Sequence, residues 1–121
     1  EFGCHEGLGL MAGNVEAIPA QGVNGEPHKI PHIGWNGIFA DTNSGEWENS
    51  ILKGIEPGTN FYFVHSYNSR PSNQADILAI CNYDGIPLSA VIQSGATYGC
   101  QFHPEKSGPA GLKVLENFIG L

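Results

Sequence analysis

The second half of the chain alternates short apolar segments with two-residue turn signals, and this pattern restricts the fold more than any other feature. Residues 76–83 (DILAICNY) lead into Asp84-Gly85, a strong signal for a tight β-hairpin. Residues 88–93 return, Ser94-Gly95 turns the chain again, and residues 97–102 form a third apolar segment. This spacing predicts an antiparallel meander of three strands that ends at His103.

Strands also dominate the first half, and a helix closes the chain. Residues 61–67 (FYFVHSY) are dense in aromatic and β-branched residues and predict one continuous strand, with weaker strands at 14–18 and 32–40. From Pro109, a residue suited to the first helical position, an amphipathic helix is predicted. Its apolar positions are Leu112, Val114, Leu115, Phe118 and Ile119, and its solvent-facing positions are Lys113, Glu116 and Asn117. The pattern is that of an antiparallel-rich α+β domain with a C-terminal helix.

Charge and composition exclude several classes of partner. The 121 residues make one domain at most, with a formal net charge of −7 and only 5 Lys and Arg residues. Nucleic-acid phosphates and anionic membranes are therefore not expected as partners. No apolar run approaches the roughly 20 residues of a membrane span, and no export signal opens the sequence. The 3 cysteines form no disulfide framework and fit a reducing cytoplasm.

The segment after the third strand carries the clearest chemistry. Gln101-Phe102-His103-Pro104-Glu105-Lys106 places an imidazole and a carboxylate two residues apart. Side chains alternate along an extended chain, and a proline keeps the residue before it extended, so His103 and Glu105 should point the same way. A histidine oriented by a carboxylate is two-thirds of a nucleophilic triad. We therefore predict that His103 is the general base and acid and that Glu105 fixes its tautomer.

The matching nucleophile is missing from the sequence. Cys100 lies an odd number of residues from His103 on the same strand, so its side chain should face away. Cys81 lies in an apolar strand, where cysteine is usually a small buried hydrophobic residue. Cys4 lacks the Gly-x-Cys-x-Gly pattern of a nucleophile elbow.

The other histidines do not predict a metal site. His28 and His32 are four residues apart, but that spacing binds zinc only on a helix, which Pro27 and Pro31 disfavour. We expect neither a metal nor another cofactor. His65 is interpreted as a histidine near a strand end with a satisfied hydrogen bond.

Further segments stand in a characteristic order. They are Gly7-Leu8-Gly9-Leu10, Gly13-Asn14-Val15, Pro31-His32-Ile33-Gly34-Trp35-Asn36, Tyr62-Phe63-Val64-His65-Ser66-Tyr67 and Tyr83-Asp84-Gly85. Together with Gln101–Ser107, the chain resembles the C-terminal half of a class I (triad-type) glutamine amidotransferase. The His-Pro-Glu run is common to that class. The His-Ile-Gly-Trp-Asn and Tyr-Phe-Val-His-Ser-Tyr segments resemble more narrowly the glutaminase subunit of imidazole glycerol phosphate synthase, or a paralogue that supplies ammonia to another synthase.

This resemblance implies roles for the catalytic and substrate-binding positions. His103 and Glu105 match the catalytic His and Glu of the family. Ser66 and Tyr67 fall where the family's backbone holds the substrate glutamine. Glu1 aligns with an acidic residue near the glutamine amine.

The resemblance also implies an interface and a fold. Trp35, Tyr62 and Lys106 match positions at the interface with the cyclase (β/α) barrel, the partner subunit through which ammonia passes. Residues 1–121 would be a single partial domain, an α+β fragment of the α/β class I glutamine amidotransferase fold with an antiparallel-rich mixed sheet and a C-terminal helix.

The family's cysteine elbow lies in the preceding half, so we expect that the chain alone does not hydrolyse glutamine. Losing the parallel half would expose sheet surface, which a homo-oligomer or a chain carrying the missing N-terminal half would cover. One alternative is a truncated, non-catalytic remnant that serves as a binding or structural module. Another is an unrelated hydrolase that uses Ser66 or Cys4 as a local nucleophile.

Overall fold

The computed structural model describes residues 3–41 and 46–121, and these ranges contain seven strands and one α-helix. They are β1 (Gly13–Ala17), β2 (His32–Gly37), β3 (Asn60–His65), β4 (Tyr67–Pro71), β5 (Ile77–Tyr83), β6 (Ile86–Ser94), β7 (Thr97–Cys100) and α1 (Gly108–Ile119). Short 3-10 helices lie at Trp47–Asn49, Gln74–Asp76 and Pro104–Lys106. Glu1, a predicted substrate-binding residue, lies outside the described residues. Within them, no helix has both the length and the apolar character needed to cross a membrane.

The described strands pair in antiparallel fashion and form three small sheets. β1 pairs with β4, β2 pairs with β3, and β5, β6 and β7 form the meander in that order. Phe39 and Ile80 exchange backbone hydrogen bonds of 2.8 Å in both directions, which attaches the chain after β2 to β5. The predicted α+β class, with antiparallel strands and a C-terminal helix, is confirmed.

The β5–β6 turn forms for the backbone reason that its sequence indicates. Asp84 and Gly85 have φ angles of 49° and 83°. A two-residue hairpin turn of type I′ needs positive φ at both central positions, and an Asp-Gly pair adopts them readily. The predicted three-stranded meander is confirmed.

The core lies between β3, the meander and α1. The ring of Phe102 packs against Phe61 and Phe63 of β3, with centroid distances of 4.2 and 5.9 Å. Burying side chains of this size stabilises a fold by about 1.5–3 kcal/mol each. The buried apolar residues are Ile18, Ile38, Ile51, Leu52, Phe61, Phe63, Leu78, Ala79, Cys81, Leu88, Ala90, Val91, Phe102 and Val114. Because Phe102 is buried, the core anchors the residue immediately before His103.

The prediction of one continuous strand over residues 61–67 is wrong. A bend at Ser66 ends β3 at His65 and begins β4 at Tyr67. β3 stays paired with β2, whereas β4 departs to pair with β1. Strand propensity misses this change of sheet because it reports fit to a pleated surface and not the identity of the partner strand.

The C-terminal helix is present, but the face on which it packs differs from the prediction. Gly111 and Val114 are its buried residues, and a methyl group at Gly111 would overlap the carbonyl oxygen of Pro104. Asn117, predicted to face solvent, turns inward and donates to the carbonyl oxygens of Ile51 and Lys53 at 2.9 and 2.8 Å. Of the five predicted apolar positions, Val114 is buried as predicted, whereas the other four are exposed, by 60% at Leu112, 40% at Leu115, 57% at Phe118 and 83% at Ile119. We call these four residues the outer helix face.

Candidate active site

His103 lies where the meander ends and the short helix Pro104–Lys106 begins. Its backbone N–H donates to the carbonyl oxygen of Tyr62 on β3 at 3.0 Å. The N–H of Gln101 donates to the carbonyl oxygen of Ala90 on β6 at 2.8 Å. Because the chain is attached to strands of two different sheets, the position of His103 is set by the packing of those sheets.

The His103 and Glu105 side chains are in contact, with 2.8 Å between Nδ1 and Oε1. Both lie at the surface. The prediction that they point the same way is confirmed, but the local reason differs from strand alternation. His103 itself is extended, with φ −97° and ψ 101°, but Pro104–Lys106 then turns as a 3-10 helix. That turn, closed by the Lys106 N–H on the His103 carbonyl oxygen at 3.0 Å, brings the carboxylate back to the imidazole.

This contact assigns the protons of the pair. The pKa of Glu105 is lowered, first by a hydrogen bond from its own backbone N–H and then by the hydrogen bond and charge of His103. The carboxylate is therefore an acceptor at neutral pH, so Nδ1 of His103 carries the proton and Nε2 keeps its lone pair. The pair presents a basic nitrogen of defined tautomer and can stabilise the imidazolium formed when that nitrogen takes a proton.

Ser107, the residue that precedes α1, holds this segment from the inside. It is buried, and its hydroxyl makes no capping hydrogen bond to α1. The hydroxyl oxygen accepts from the N–H of Tyr62 at 3.0 Å and donates to the carbonyl oxygen of His103 at 2.7 Å. Tyr62 and His103 are thus joined twice, directly through the backbone and through the Ser107 hydroxyl.

Ser66 and Tyr67, the predicted substrate-binding positions, form the bend between β3 and β4. The carbonyl oxygen of Ser66 accepts from the N–H of Ile18 at 2.9 Å. The carbonyl oxygen of Tyr67 accepts from Nδ1 of His65 at 2.8 Å. The bend is therefore held on one side by Ile18, the residue after β1, and on the other by the His65 imidazole.

Asn68 connects this bend to the His103 segment. The Asn68 side chain is buried, and its amide donates to the Ser89 carbonyl oxygen at 2.9 Å and to Oε1 of Gln101 at 3.2 Å. Its Oδ1 accepts from the N–H of Ser89 at 2.9 Å. Gln101 lies two residues before His103, so hydrogen bonds across β6 join the predicted substrate-binding backbone to the predicted base.

Two of the predicted interface residues, Trp35 and Tyr62, lie on one face of the β2–β3 sheet, and the Tyr62 backbone is hydrogen-bonded to that of His103. Trp35 and Tyr62 are cross-strand partners on β2 and β3, with ring centroids 6.1 Å apart in an edge-to-face arrangement. Trp35 is 57% exposed, and the neighbouring pair Ile33 and Val64 is exposed on the same face. Lys106 is exposed at the end of the short helix after His103. We call Ile33, Trp35, Tyr62 and Val64 the β2–β3 face.

Two of the described cysteines, Cys81 and Cys100, are not suited to be the nucleophile of this site. Cys81 is fully buried and Cys100 is half-buried, and burial raises the pKa of each thiol to about 12. Neither is a thiolate at neutral pH, and a thiol is a poor nucleophile. Cys4 is exposed in the segment before β1, and all three cysteines are free.

The described residues contain no cluster of three or more His, Cys, Asp or Glu side chains suited to a metal ion. His28 instead contacts Oδ2 of Asp84 at 2.9 Å and the Pro19 carbonyl oxygen at 2.5 Å, and it stacks on Tyr83 with a centroid distance of 4.5 Å. This histidine ties the segment before β2 to the β5–β6 turn.

Several buried polar residues escape the sequence argument. His65 is more than a satisfied strand-end histidine, because the β2–β3 register pairs it directly with His32. Ser107 and Asn68 carry hydrogen bonds between segments far apart in the chain. The only signal in the sequence is a polar side chain within or next to an apolar strand, and that signal does not name the partner.

Comparison with known proteins places this geometry in a family. The family described as glutamine amidotransferase class-I matches residues 7–121. The imidazole glycerol phosphate synthase subunit HisH 1 of Legionella pneumophila (strain Lens) is 51% identical over 119 residues, which cover 98% of this chain and 56% of the relative. The HisH subunit of Rhodospirillum rubrum is 48% identical over 120 residues, covering 98% of this chain and 52% of the relative. That of Geobacillus kaustophilus is 41% identical over 121 residues, covering 100% and 54%.

The chain spans about half the length of the curated relatives it matches. The family match nevertheless covers nearly the whole of the sequence and includes every predicted site residue except Glu1. The chain belongs to the class I glutamine amidotransferase family.

Proposed function

We propose that this chain forms the C-terminal catalytic part of a glutaminase subunit that supplies ammonia for imidazole glycerol phosphate synthesis in histidine biosynthesis. The observation that carries the proposal is the contact of 2.8 Å between His103 Nδ1 and Glu105 Oε1 in a chain of this family. The names of the relatives support the choice of synthase. A cytoplasmic location belongs to the same proposal, supported by the three free cysteines.

In the proposed reaction, His103 serves two steps. A cysteine from outside these 121 residues gives its thiol proton to His103, and the resulting thiolate attacks the side-chain carbonyl carbon of glutamine. The His103 imidazolium then protonates the amide nitrogen, the carbon–nitrogen bond breaks, and ammonia leaves from the thioester. Water then attacks the thioester, Nε2 of His103 takes its proton, and the carbon–sulfur bond breaks to release glutamate and the thiolate. The Glu105 carboxylate accepts the hydrogen bond from the His103 Nδ1–H in both steps and stabilises the imidazolium.

The Ser66–Tyr67 backbone is proposed to hold the glutamine. A ligand binds tightly to backbone N–H and C=O groups only if the free protein already holds them in the binding orientation, because ordering a loop on binding lowers affinity. The bend at these residues is supported from both sides, by the Ile18 N–H and by His65. A role for Glu1 near the glutamine amine remains a prediction.

The cyclase (β/α) barrel subunit is the proposed partner, docking on the β2–β3 face and Lys106. An exposed tryptophan beside a tyrosine is the kind of aromatic pair that anchors protein interfaces. The carbonyl oxygen of Tyr62 also accepts a hydrogen bond from the backbone N–H of His103. A partner seated on this face would therefore contact the strand that positions the base.

Mixing the chain with the N-terminal half of the Legionella pneumophila relative tests the proposed function. We expect ammonia release from glutamine only in the mixture, reduced about a thousandfold or more by His103→Ala. Glu105→Gln should also lower the rate, whereas Glu26→Gln, at an exposed loop position, is the matched control. A rate that survives His103→Ala would refute the role of His103. Loss of activity in Ser66→Ala or Cys4→Ala, with His103→Ala active, would instead indicate an unrelated hydrolase.

A second function, that of a non-catalytic binding module, is favoured by one observation. The outer helix face exposes four large apolar side chains that a partner could cover. The gene distinguishes the two proposals. A reading frame that continues upstream through a Gly-x-Cys-x-Gly elbow supports the glutaminase, and a start codon close to Glu1 supports the remnant.

A further inference from the structure

Two histidines from neighbouring strands form a buried pair that contacts the Ser66–Tyr67 bend. His32 on β2 is 3% exposed and His65 on β3 is 9% exposed. Nδ1 of His32 lies 2.8 Å from Nε2 of His65, and Nδ1 of His65 lies 2.8 Å from the Tyr67 carbonyl oxygen. At the other end, Nδ2 of Asn36 lies 3.3 Å from Nε2 of His32.

The contacts at Tyr67 and at Asn36 each determine, independently of the other, which ring nitrogens of the two histidines carry a proton. A carbonyl oxygen only accepts, so Nδ1 of His65 must donate to Tyr67, which leaves Nε2 of His65 as the acceptor for His32. From the other end, Asn36 also donates to the Asn82 carbonyl oxygen at 2.9 Å, which fixes its amide nitrogen as the atom near His32. Nε2 of His32 therefore accepts and Nδ1 of His32 donates. Both ends give the same direction, from Asn36 through His32 and His65 to Tyr67.

The direction of these bonds requires both imidazoles to be neutral. Burial lowers the pKa of His32 to about 4, with the neighbouring His65 as the next cause, and burial also lowers the pKa of His65. A second proton on either ring would convert its accepting Nε2 into a donor. Two donors would then face each other, and that hydrogen bond would be lost. The rings are also held by packing, since His32 lies 5.1 Å from Phe63 and 4.4 Å from Tyr83 between centroids.

We propose that His32 and His65 are positioning residues that hold the Ser66–Tyr67 bend in the conformation that binds glutamine. The hydrogen bond from His65 to Tyr67 spans Ser66, so it fixes the peptide groups on both sides of that residue. His32 fixes the ring orientation of His65, and Asn36 fixes that of His32. This inference rests on the proposed function, because glutamine is the ligand that the bend would hold.

We call the series of hydrogen bonds from Asn36 through His32 and His65 to Tyr67 the relay. The tautomers of the two histidines test the relay separately from any enzymatic activity. Both histidines should be neutral Nδ1–H tautomers, whereas imidazole in water prefers the Nε2–H form. Nitrogen-15 NMR of the histidine-labelled chain at pH 7 reads this directly from the ring nitrogens. An Nε2–H tautomer or a charged ring at either residue would overturn the relay.

Two substitutions at His65 separate hydrogen bonding from packing. In His65→Asn the amide nitrogen takes the place of Nδ1 and can still donate to Tyr67, although the side chain is smaller. His65→Gln fills more of the site and can accept from His32 but loses that donor. The relay predicts that His65→Gln raises the glutamine KM of the complemented enzyme about tenfold and that His65→Asn raises it less. A packing role alone predicts the reverse order.

His28→Gln is the matched control, because His28 packs on Tyr83 in the same aromatic group but lies outside the relay. Its glutamine KM should stay within about twofold of the unsubstituted chain. An equal KM in His65→Gln and the unsubstituted chain, or a larger effect in His65→Asn than in His65→Gln, would overturn the positioning role. If the unsubstituted mixture releases no ammonia, the proposed function fails and the glutamine role with it. The NMR tautomers still decide whether the relay exists.

Discussion

The hydroxyl of Ser107 works as a bridge between two segments that carry the proposed function. It accepts from Tyr62 on the β2–β3 face and donates to the carbonyl oxygen of His103. A buried hydroxyl with both a donor and an acceptor partner is costly to remove: the Tyr62 N–H loses the acceptor that Ser107 provides, and the His103 carbonyl oxygen keeps only the Lys106 N–H. At the scale of single residues, such bonds keep His103 in register with β3.

Ser107→Ala should lower the free energy of unfolding by about 1–2 kcal/mol, because the Tyr62 N–H and the His103 carbonyl oxygen lose a partner. Urea denaturation measures the change. Ser72→Ala is the matched control at an exposed position, where a change within about 0.5 kcal/mol is expected. Equal effects in the two variants would show that the bridge does not stabilise the fold.

The buried His32 imidazole also makes stability depend on pH. Its pKa is about 4 in the folded chain against 6.5 in the unfolded chain, so between these values the unfolded state binds more protons. The contribution of His32 to the free energy of unfolding should therefore be fully present above pH 6.5. It should be lost as the pH falls towards 4, by on the order of 3 kcal/mol at about 1.4 kcal/mol per pKa unit. Thermal or urea unfolding at each pH measures this loss.

His32→Phe provides the comparison for this pH effect. His65 and His28 lower the pKa of His32 by repulsion and Asp84 raises it, so these groups contribute to the measured curve. The variant should show a shallower decline between pH 6.5 and 4, with the remaining slope due mainly to His65, whose pKa burial also lowers. An unchanged slope would contradict the assignment to His32.

Helix α1 is positioned by the approach of Gly111 to the turn that carries Glu105. A methyl group there would overlap the Pro104 carbonyl oxygen and crowd the Ser107 side chain. Ser107 ends the Pro104–Lys106 turn and precedes the first residue of α1. At the scale of secondary-structure elements, the helix and the Pro104–Lys106 turn therefore form one packed unit.

Gly111→Ala tests this coupling. Alanine is the better helix former by about 1 kcal/mol, so propensity alone predicts stabilisation. We expect destabilisation of about 1–3 kcal/mol instead, because the backbone of Pro104 must move away. Gly120→Ala is the control, since its methyl group would meet the Glu116 carbonyl oxygen at an ordinary 3.5 Å. Stabilisation in both variants, measured by thermal unfolding, would contradict the close packing.

In the described part of the chain, the three small sheets and helix α1 enclose a single core, yet large apolar surface remains outside it. The outer helix face and the β2–β3 face together expose Ile33, Trp35, Val64, Leu112, Leu115, Phe118 and Ile119. Contiguous apolar patches on a protein surface usually mark interaction sites. Since the chain spans about half the length of its relatives, part of this surface is expected to meet either their remaining half or a second copy.

The molecule should therefore self-associate when it is alone, and light scattering coupled to size exclusion measures this. Ile119→Glu places a charge on the most exposed residue of the outer helix face and should shift the population towards monomer. Ala96→Glu, in the exposed β6–β7 turn, adds the same charge elsewhere and should leave the oligomer intact. A monodisperse monomer of the unsubstituted chain would contradict self-association.

Local chemistry in the sequence is enough to determine the meander, its Asp84-Gly85 turn, the C-terminal helix and the contact of His103 with Glu105. Each depends on residues close together in the chain, so backbone preference and short-range geometry specify it. The change of sheet at Ser66, the inward face of α1 and the pairing of His32 with His65 depend on partners far away in the chain. Only the tertiary structure decides these, because the register between strands selects which polar groups meet once water is excluded.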